Sequence, residues 1–262
     1  MLSVSNISKS YLKSGGLFAR ERQLILNRIS FSVKRGECVG LIGESGSGKS
    51  TLARLLLGIE RPDSGEILVE GRGLREWRQH CPGQMSVVFQ DYTTSVSPRF
   101  TVAQIVAEPL FRLERAAAAA KVAALLERVG LPAALSVRYP HELSGGQLQR
   151  VCLARAISTQ PRFIVLDEAL SSLDVSVQAQ IMELLKDLKA ELQLTYLFIA
   201  HDLQTVANLC DQVLFLYQGQ LVEQLPVERL FETTNEYARK LLNSVIPFGD
   251  CPVCHDGHET GY

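Results

Sequence analysis

Cys38-Val-Gly-Leu-Ile42 runs directly into Gly43-Glu-Ser-Gly-Ser-Gly-Lys-Ser50, and this stretch decides the fold. The first five residues are a continuous apolar run closed by glycine, the pattern of a strand buried on both faces. From Thr51 the chain reads as a helix that stops at Gly58. Strand, glycine-rich turn and helix in that order make residues 43–50 a phosphate-binding loop rather than a flexible turn. The four constrained positions arise by chance in roughly one per cent of chains of this length. The expected cradle is Gly43, Glu44, Ser45, Gly46, Ser47, Gly48, Lys49, Ser50 and Thr51. Its backbone N–H groups point at phosphate oxygens, and the start of the helix favours negative charge. Glycines let the backbone approach without a Cβ in the way. Lys49 is expected to bridge the β and γ phosphates, and Ser50 to bind Mg²⁺.

Further along, Phe163-Ile-Val-Leu-Asp-Glu168 supplies a second buried strand with two carboxylates at its C-terminal end. Ligands of open α/β sheets bind at that end. Asp167 is placed to hold Mg²⁺ and Glu168 to act as general base on the attacking water. The amphipathic helix Val177 to Leu192 and the apolar strand Thr195–Ala200 follow, so the sheet is parallel with right-handed crossovers. Val213–Tyr217 and Leu221–Gln224 flank Gln218-Gly-Gln, a hairpin. Upstream, Leu2–Asn6, Ile29–Val33 and Ile67–Gly71 read as short strands, and residues 13–22 as a charged, glycine-bearing loop. Residues 92–160 differ in character: Thr101 to Leu113 and Ala116 to Val129 are helical, which marks a helical insertion.

Composition limits what else the chain does. Lys+Arg is 27 and Asp+Glu is 28 in 262 residues, for a net charge of −1, which argues against a general nucleic-acid binder. A hydrophobic fraction of 46% supports a packed core. No run approaches the roughly 18 apolar residues of a membrane span, and Met1-Leu-Ser-Val-Ser lacks the features of a secretory signal. Six cysteines, four of them scattered singly, read as reduced thiols.

Leu143-Ser-Gly-Gly-Gln147, with Gln90 before it and Asp167 after it, resembles the signature of ATP-binding-cassette ATPases. The physical reason is a hydroxyl and bare amides at a helix start, from Ser144, Gly145, Gly146 and Gln147, ready to grip a γ-phosphate. The resemblance implies that this phosphate belongs to ATP on an opposite subunit, so that two subunits close around two nucleotides. It implies a phosphate-loop NTPase fold: an α/β RecA-like core with an antiparallel β subdomain (residues 1–90 and 161–235) and a helical signature subdomain (91–160). Tyr11 then matches the aromatic that stacks on adenine. Gln90 matches the glutamine that senses Mg²⁺ and nucleotide, Asp174 the loop that crosses the dimer interface, and His201 the switch histidine. The resemblance covers about residues 1–247. One departure is Ala169-Leu-Ser-Ser-Leu-Asp174, where most members carry Pro-Thr and then Ser-Ala-Leu-Asp; no charged position is lost. A soluble cassette ATPase of translation or DNA repair fits poorly with one cassette and a helical stretch of ordinary size, and the signature argues against a small-molecule kinase.

Softer likenesses narrow the branch. Gly16-Leu-Phe-Ala-Arg, Ser97-Pro-Arg after Val88-Phe-Gln-Asp91, and Glu236-Tyr-Ala-Arg-Lys-Leu-Leu before Ile246-Pro resemble the dipeptide, oligopeptide and nickel import subgroup. Gln147-Leu-Gln-Arg-Val-Cys-Leu-Ala-Arg155 and Asp167-Glu-Ala resemble the second ATPase subunit of nickel importers. This implies import of nickel or a metal chelate, with short peptides as the alternative. It implies a solute-binding protein, two transmembrane permease subunits and a second, paralogous ATPase as partners, with ATP and Mg²⁺ as cofactors. The location implied is the cytoplasmic face of the inner membrane, with membrane-subunit contact near Gln90 to Thr101. The tail, residues 248–262, carries Cys251, Cys254, His255 and His258. It reads either as a terminus that binds divalent metal adventitiously or as a regulatory metal site.

Overall fold

A computed structural model describes residues 1–12, 22–111, 114–171 and 173–245. The tail donors Cys251, Cys254, His255 and His258, the early loop at 13–21 and Ser172 lie outside the described residues. In chain order the strands and α-helices are β1 Leu2–Leu12, β2 Arg22–Val33, β3 Cys38–Ile42, α1 Lys49–Leu56, β4 Ser64–Val69, β5 Arg72–Gly73, α2 Leu74–His80 and β6 Met85–Val88. They continue as α3 Val102–Ala107, α4 Arg115–Arg128, α5 Gly145–Ile157, β7 Phe163–Asp167, α6 Val175–Leu192, β8 Thr195–Ala200, α7 Leu203–Leu209, β9 Gln212–Tyr217, β10 Gln220–Pro226 and α8 Glu236–Val245.

Two sheets result. One is antiparallel, in the order β2-β1-β4-β5; the other has six strands in the order β10-β9-β3-β8-β7-β6. In the larger sheet β9-β3-β8-β7-β6 are parallel, and β10 closes the edge as the antiparallel arm of a hairpin with β9. The sequence placed β3, β7, β8 and the β9–β10 hairpin correctly. The alternation of side chains along these strands divides the core. Cys38, Ile42, Ile164, Leu166, Tyr196 and Phe198 face one apolar cluster with α5, α6 and α7. Val39, Leu41, Phe163, Val165, Leu197 and Ile199 face the other, shared with α1, α2 and the antiparallel sheet. A strand buried on both faces must be apolar throughout, which is why these segments read as unbroken runs.

Several expected bounds shift. β1 runs on to Leu12, and β2 begins at Arg22, because each is completed by the other through antiparallel pairing from Leu2↔Val33 to Leu12↔Arg22. The helix expected over residues 101–113 ends at Ala107 and continues as a 3-10 turn, Glu108–Leu110, with Pro109 in its first turn. Proline lacks the N–H that the next α-helical bond needs. Between β6 and β7 the described residues hold α3, α4 and α5 and no strand. No helix among the described residues is long and apolar enough to cross a membrane.

Register places the site. Ile42 pairs with Ala200 and Asp167 with Ile199. β3, β7 and β8 therefore end at one edge of the sheet, and Gly43, Glu168 and His201 leave it side by side.

Candidate nucleotide-binding site

Gly48 caps α1 at φ 109°, a conformation that favours glycine, and offers no side-chain cap to the first turn. The unpaired amides of that turn are what an anion would meet. A Cβ at Gly48 would lie 2.6 Å from Leu26 Cδ2, and one at Gly43 would lie 2.3 Å from the Leu216 carbonyl oxygen. The tightness of the loop is thus demanded by its packing. Above Gly46 the space is open. Lys49 is buried and donates from Nζ to the Gly43 carbonyl at 2.6 Å and to the Glu44 carbonyl at 3.1 Å.

A cavity of about 470 Å³ is lined by Tyr11, Ile25, Ser45, Gly46, Gly48, Lys49, Ser50, Thr51, Gln90, Glu168 and His201. The structure therefore gathers the aromatic, the loop, the glutamine, the glutamate and the histidine around one space. Tyr11 is held at its rim, donating to Glu60 Oε2 at 2.5 Å, while Arg54 Nε binds the same carboxylate at 2.7 Å. These bonds, the Tyr11 hydroxyl first, hold Glu60 below the usual carboxylate range.

Electrostatics agree with the geometry. Burial lowers the pKa of Lys49, opposed by the charges of Glu168 and Asp167. Burial, then the adjacent Glu168, raises that of Asp167, opposed by Lys49. A buried cation beside two carboxylates sits where β7 ends. Glu168 itself has φ 50°, in the left-handed region. Its N–H donates to the Ile199 carbonyl at 3.0 Å, and its own carbonyl accepts from Ser171 N and Oγ at 3.1 and 3.0 Å. This turn aims the carboxylate at His201, whose Nε2 touches Glu168 Oε1. His201 remains about half exposed while the Glu168 side chain is 10% exposed, so the imidazole covers the carboxylate.

The signature residues are not in that cavity. Ser144 caps α5: its Oγ accepts from Gln147 N at 3.2 Å, and Gln147 Oε1 accepts from Ser144 N at 3.0 Å. The helix start is packed closely. A Cβ at Gly145 would lie 2.7 Å from the Tyr92 hydroxyl, and one at Gly146 would lie 2.8 Å from Val177 Cγ1. Asp174 caps α6, accepting from Val177 N at 3.0 Å and Ser176 Oγ at 2.7 Å. Two helix starts, one from each motif, therefore lie against each other.

Gln149 escaped the sequence reading. It is fully buried in α5 and donates from Nε2 to the Ala169 carbonyl at 2.7 Å, tying the signature helix to the residue after Glu168. The available signal was a glutamine on a helix otherwise rich in apolar residues. Tyr92 was missed as well, because its contact to Gly145 joins two segments distant in sequence.

Residues 26–171 match the ABC transporter family. The chain belongs to that family, and it is an ATP-binding, ATP-hydrolysing subunit of the ABC kind. Among its relatives, the metal-staphylopine import system ATP-binding protein CntF of Staphylococcus aureus is 41% identical over 253 residues, covering 95% of this chain and all of the relative. The nickel import ATP-binding protein NikE of Rhodospirillum rubrum is 42% identical, covering 94% of this chain and 92% of the relative. Among solved structures, the dimer of the cassette MJ0796 bound to ADP and Pi superposes with a TM-score of 0.76 at 26% identity, covering 87% of this chain and 99% of that one. Clostridium perfringens cbiO1 gives 0.76 at 28% identity, covering 91% and 93%.

Proposed function

We propose that this chain is the ATPase subunit that energises import of nickel or a metal chelate across the cytoplasmic membrane. The observation that carries the reading is its likeness, over nearly its whole length, to import ATPases named for nickel and for metal-staphylopine. The partners proposed are two membrane permease subunits, a paralogous second ATPase and a solute-binding protein, with the chain peripheral on the inner face of the membrane. Residues 1–90 and 161–235 are read as core and β subdomain and 91–160 as the helical subdomain.

In this reading the loop residues 43–51 hold the phosphates and Tyr11 stacks on the adenine. Oxygen donors suit Mg²⁺: Ser50 and Gln90 line the cavity, and the Asp167 carboxylate, which is not among the residues that line it, interacts with Lys49 and Glu168 at its base. When bound, the ion neutralises charge on the phosphates. Lys49 holds the γ-phosphate, and Glu168 accepts a proton from the attacking water. His201, in contact with Glu168, orients that carboxylate and stabilises charge on the transferred phosphoryl group. Ser144, Gly145, Gly146 and Gln147, with Asp174 beside them, meet the nucleotide of the opposing subunit. Binding closes the pair, hydrolysis opens it, and the helical subdomain carries the movement to the permease.

The test is uptake of radiolabelled nickel by cells with the gene intact, deleted, or encoding Lys49→Ala. Loss of uptake in both altered strains is expected. Unchanged nickel uptake overturns the substrate assignment and moves short peptides forward.

A further inference from the structure

The phosphate-binding loop is held by a helix near the end of the chain. The Glu44 N–H donates to the Tyr237 hydroxyl at 2.9 Å. Tyr237 lies in the first turn of α8, and its ring packs on Tyr217 at the end of β9, with centroids 4.4 Å apart and planes at 33°. Its place is firmly set. Asn235 Oδ1 accepts from Tyr237 N at 2.9 Å and from Ala238 N at 3.2 Å, capping the helix start. Ala238 and Leu242 are buried in the cluster that covers α7 and the sheet. Arg239 Nε donates to the Thr233 carbonyl at 3.0 Å.

Residue 44 is therefore gripped at both ends of its backbone. Its N–H goes to Tyr237, and its carbonyl accepts from Lys49 Nζ at 3.1 Å. The hairpin after β9 adds a third brace, from Gly219 N to the Ser47 carbonyl at 3.1 Å. Most N–H groups of such a loop are turned to the ligand. Here the N–H of residue 44 is assigned to a phenol from another element instead. A loop fixed in its binding shape loses less conformational freedom when the ligand arrives.

We propose that Tyr237 is a positioning residue for ATP binding, its hydroxyl holding the residue-44 N–H so that the loop is formed before nucleotide enters. The proposal rests on reading the loop as the ATP site. Nothing in the motif of residues 43–50 points to it, since the partner comes from near the chain's end.

Tyr237→Phe removes one oxygen and keeps the ring stack and the buried anchors of α8. Two measurements on the full chain test it: calorimetric titration with Mg–ATP, and amide hydrogen exchange of nucleotide-free protein read by mass spectrometry. Tyr237→Phe is expected to bind Mg–ATP about three- to tenfold more weakly, the worth of one hydrogen bond. Exchange is expected to rise in the peptide spanning residues 43–50 and to stay constant in β8. An unchanged affinity, or exchange that rises throughout the sheet and not in the loop, overturns the proposal by giving Tyr237 a merely structural role. Failure of the unaltered chain to bind Mg–ATP defeats the reading of the site itself, which separates the two failures.

Discussion

Glu168 is the residue on which hydrolysis is expected to depend and ATP binding is not. Its backbone, at φ 50°, is tied to the Ile199 carbonyl and to the Ser171 amide and hydroxyl, and its carboxylate touches His201. Glutamine has nearly the same shape and retains an oxygen toward His201, yet it cannot take a proton from water. Glu168→Gln should therefore lower the turnover rate by about 10²–10⁴-fold. Retained Mg–ATP affinity, measured by titration, and lost phosphate release are the expected pair of results. Normal release would mean that another group is the base. The place of Glu168 was legible in the sequence, because an acid at the end of a buried apolar run can lie only at the sheet edge. Its backbone conformation was not. A non-glycine residue enters the left-handed region for reasons of context, here the paired strand end and the turn at Ser171, and local sequence does not announce it.

At the scale of elements, the glycines of the signature helix were read for one purpose, and their packing gives them another. Bare amides at the start of α5 suit a phosphate, as the sequence suggested. The same glycines also let α5 approach Tyr92 and α6, with a Cβ at Gly146 falling 2.8 Å from Val177 Cγ1. Valine is branched at Cβ and stiff in a helix, so it yields poorly. Gly146→Ala is expected to destabilise the chain by about 1–3 kcal/mol through overpacking. The same substitution should be nearly neutral when Val177→Ala is already present. Denaturant unfolding of the four chains of that cycle measures the coupling. Equal cost in both backgrounds would show that packing against α6 is not the reason for glycine there. Elements whose burial is two-sided, β3, β7 and β8, were plain in the sequence. Those whose meaning depends on a neighbour were not: the extension of β1 and β2 by mutual pairing, α7 after His201, and Gln149 beneath Ala169. Periodicity reports which face of an element is apolar, and is silent on which element covers it.

On the scale of the whole molecule, the phosphate-loop cavity and the signature helix start stand apart, and the proposed function makes them two halves of a site. The cavity beside Lys49 is lined by Tyr11, the phosphate loop, Gln90, Glu168 and His201, and residues 143–147 take no part in it. In the folded chain Ser144 serves as the cap of α5. On the proposed reading, the component that completes each site is a second subunit. A dimer assembled from such halves forms two complete sites at once. ATP hydrolysis by the purified chain alone is therefore expected to be slow when dilute and to rise with the square of protein concentration until pairs predominate. Adding the paralogous ATPase should raise the rate further at constant total protein, because the proposed assembly pairs unlike subunits. Phosphate release measured over a dilution series decides it. A specific activity that stays constant down to the most dilute, strictly monomeric sample would place a complete site within one chain, and the separation of residues 143–147 from the cavity would then have no mechanistic meaning.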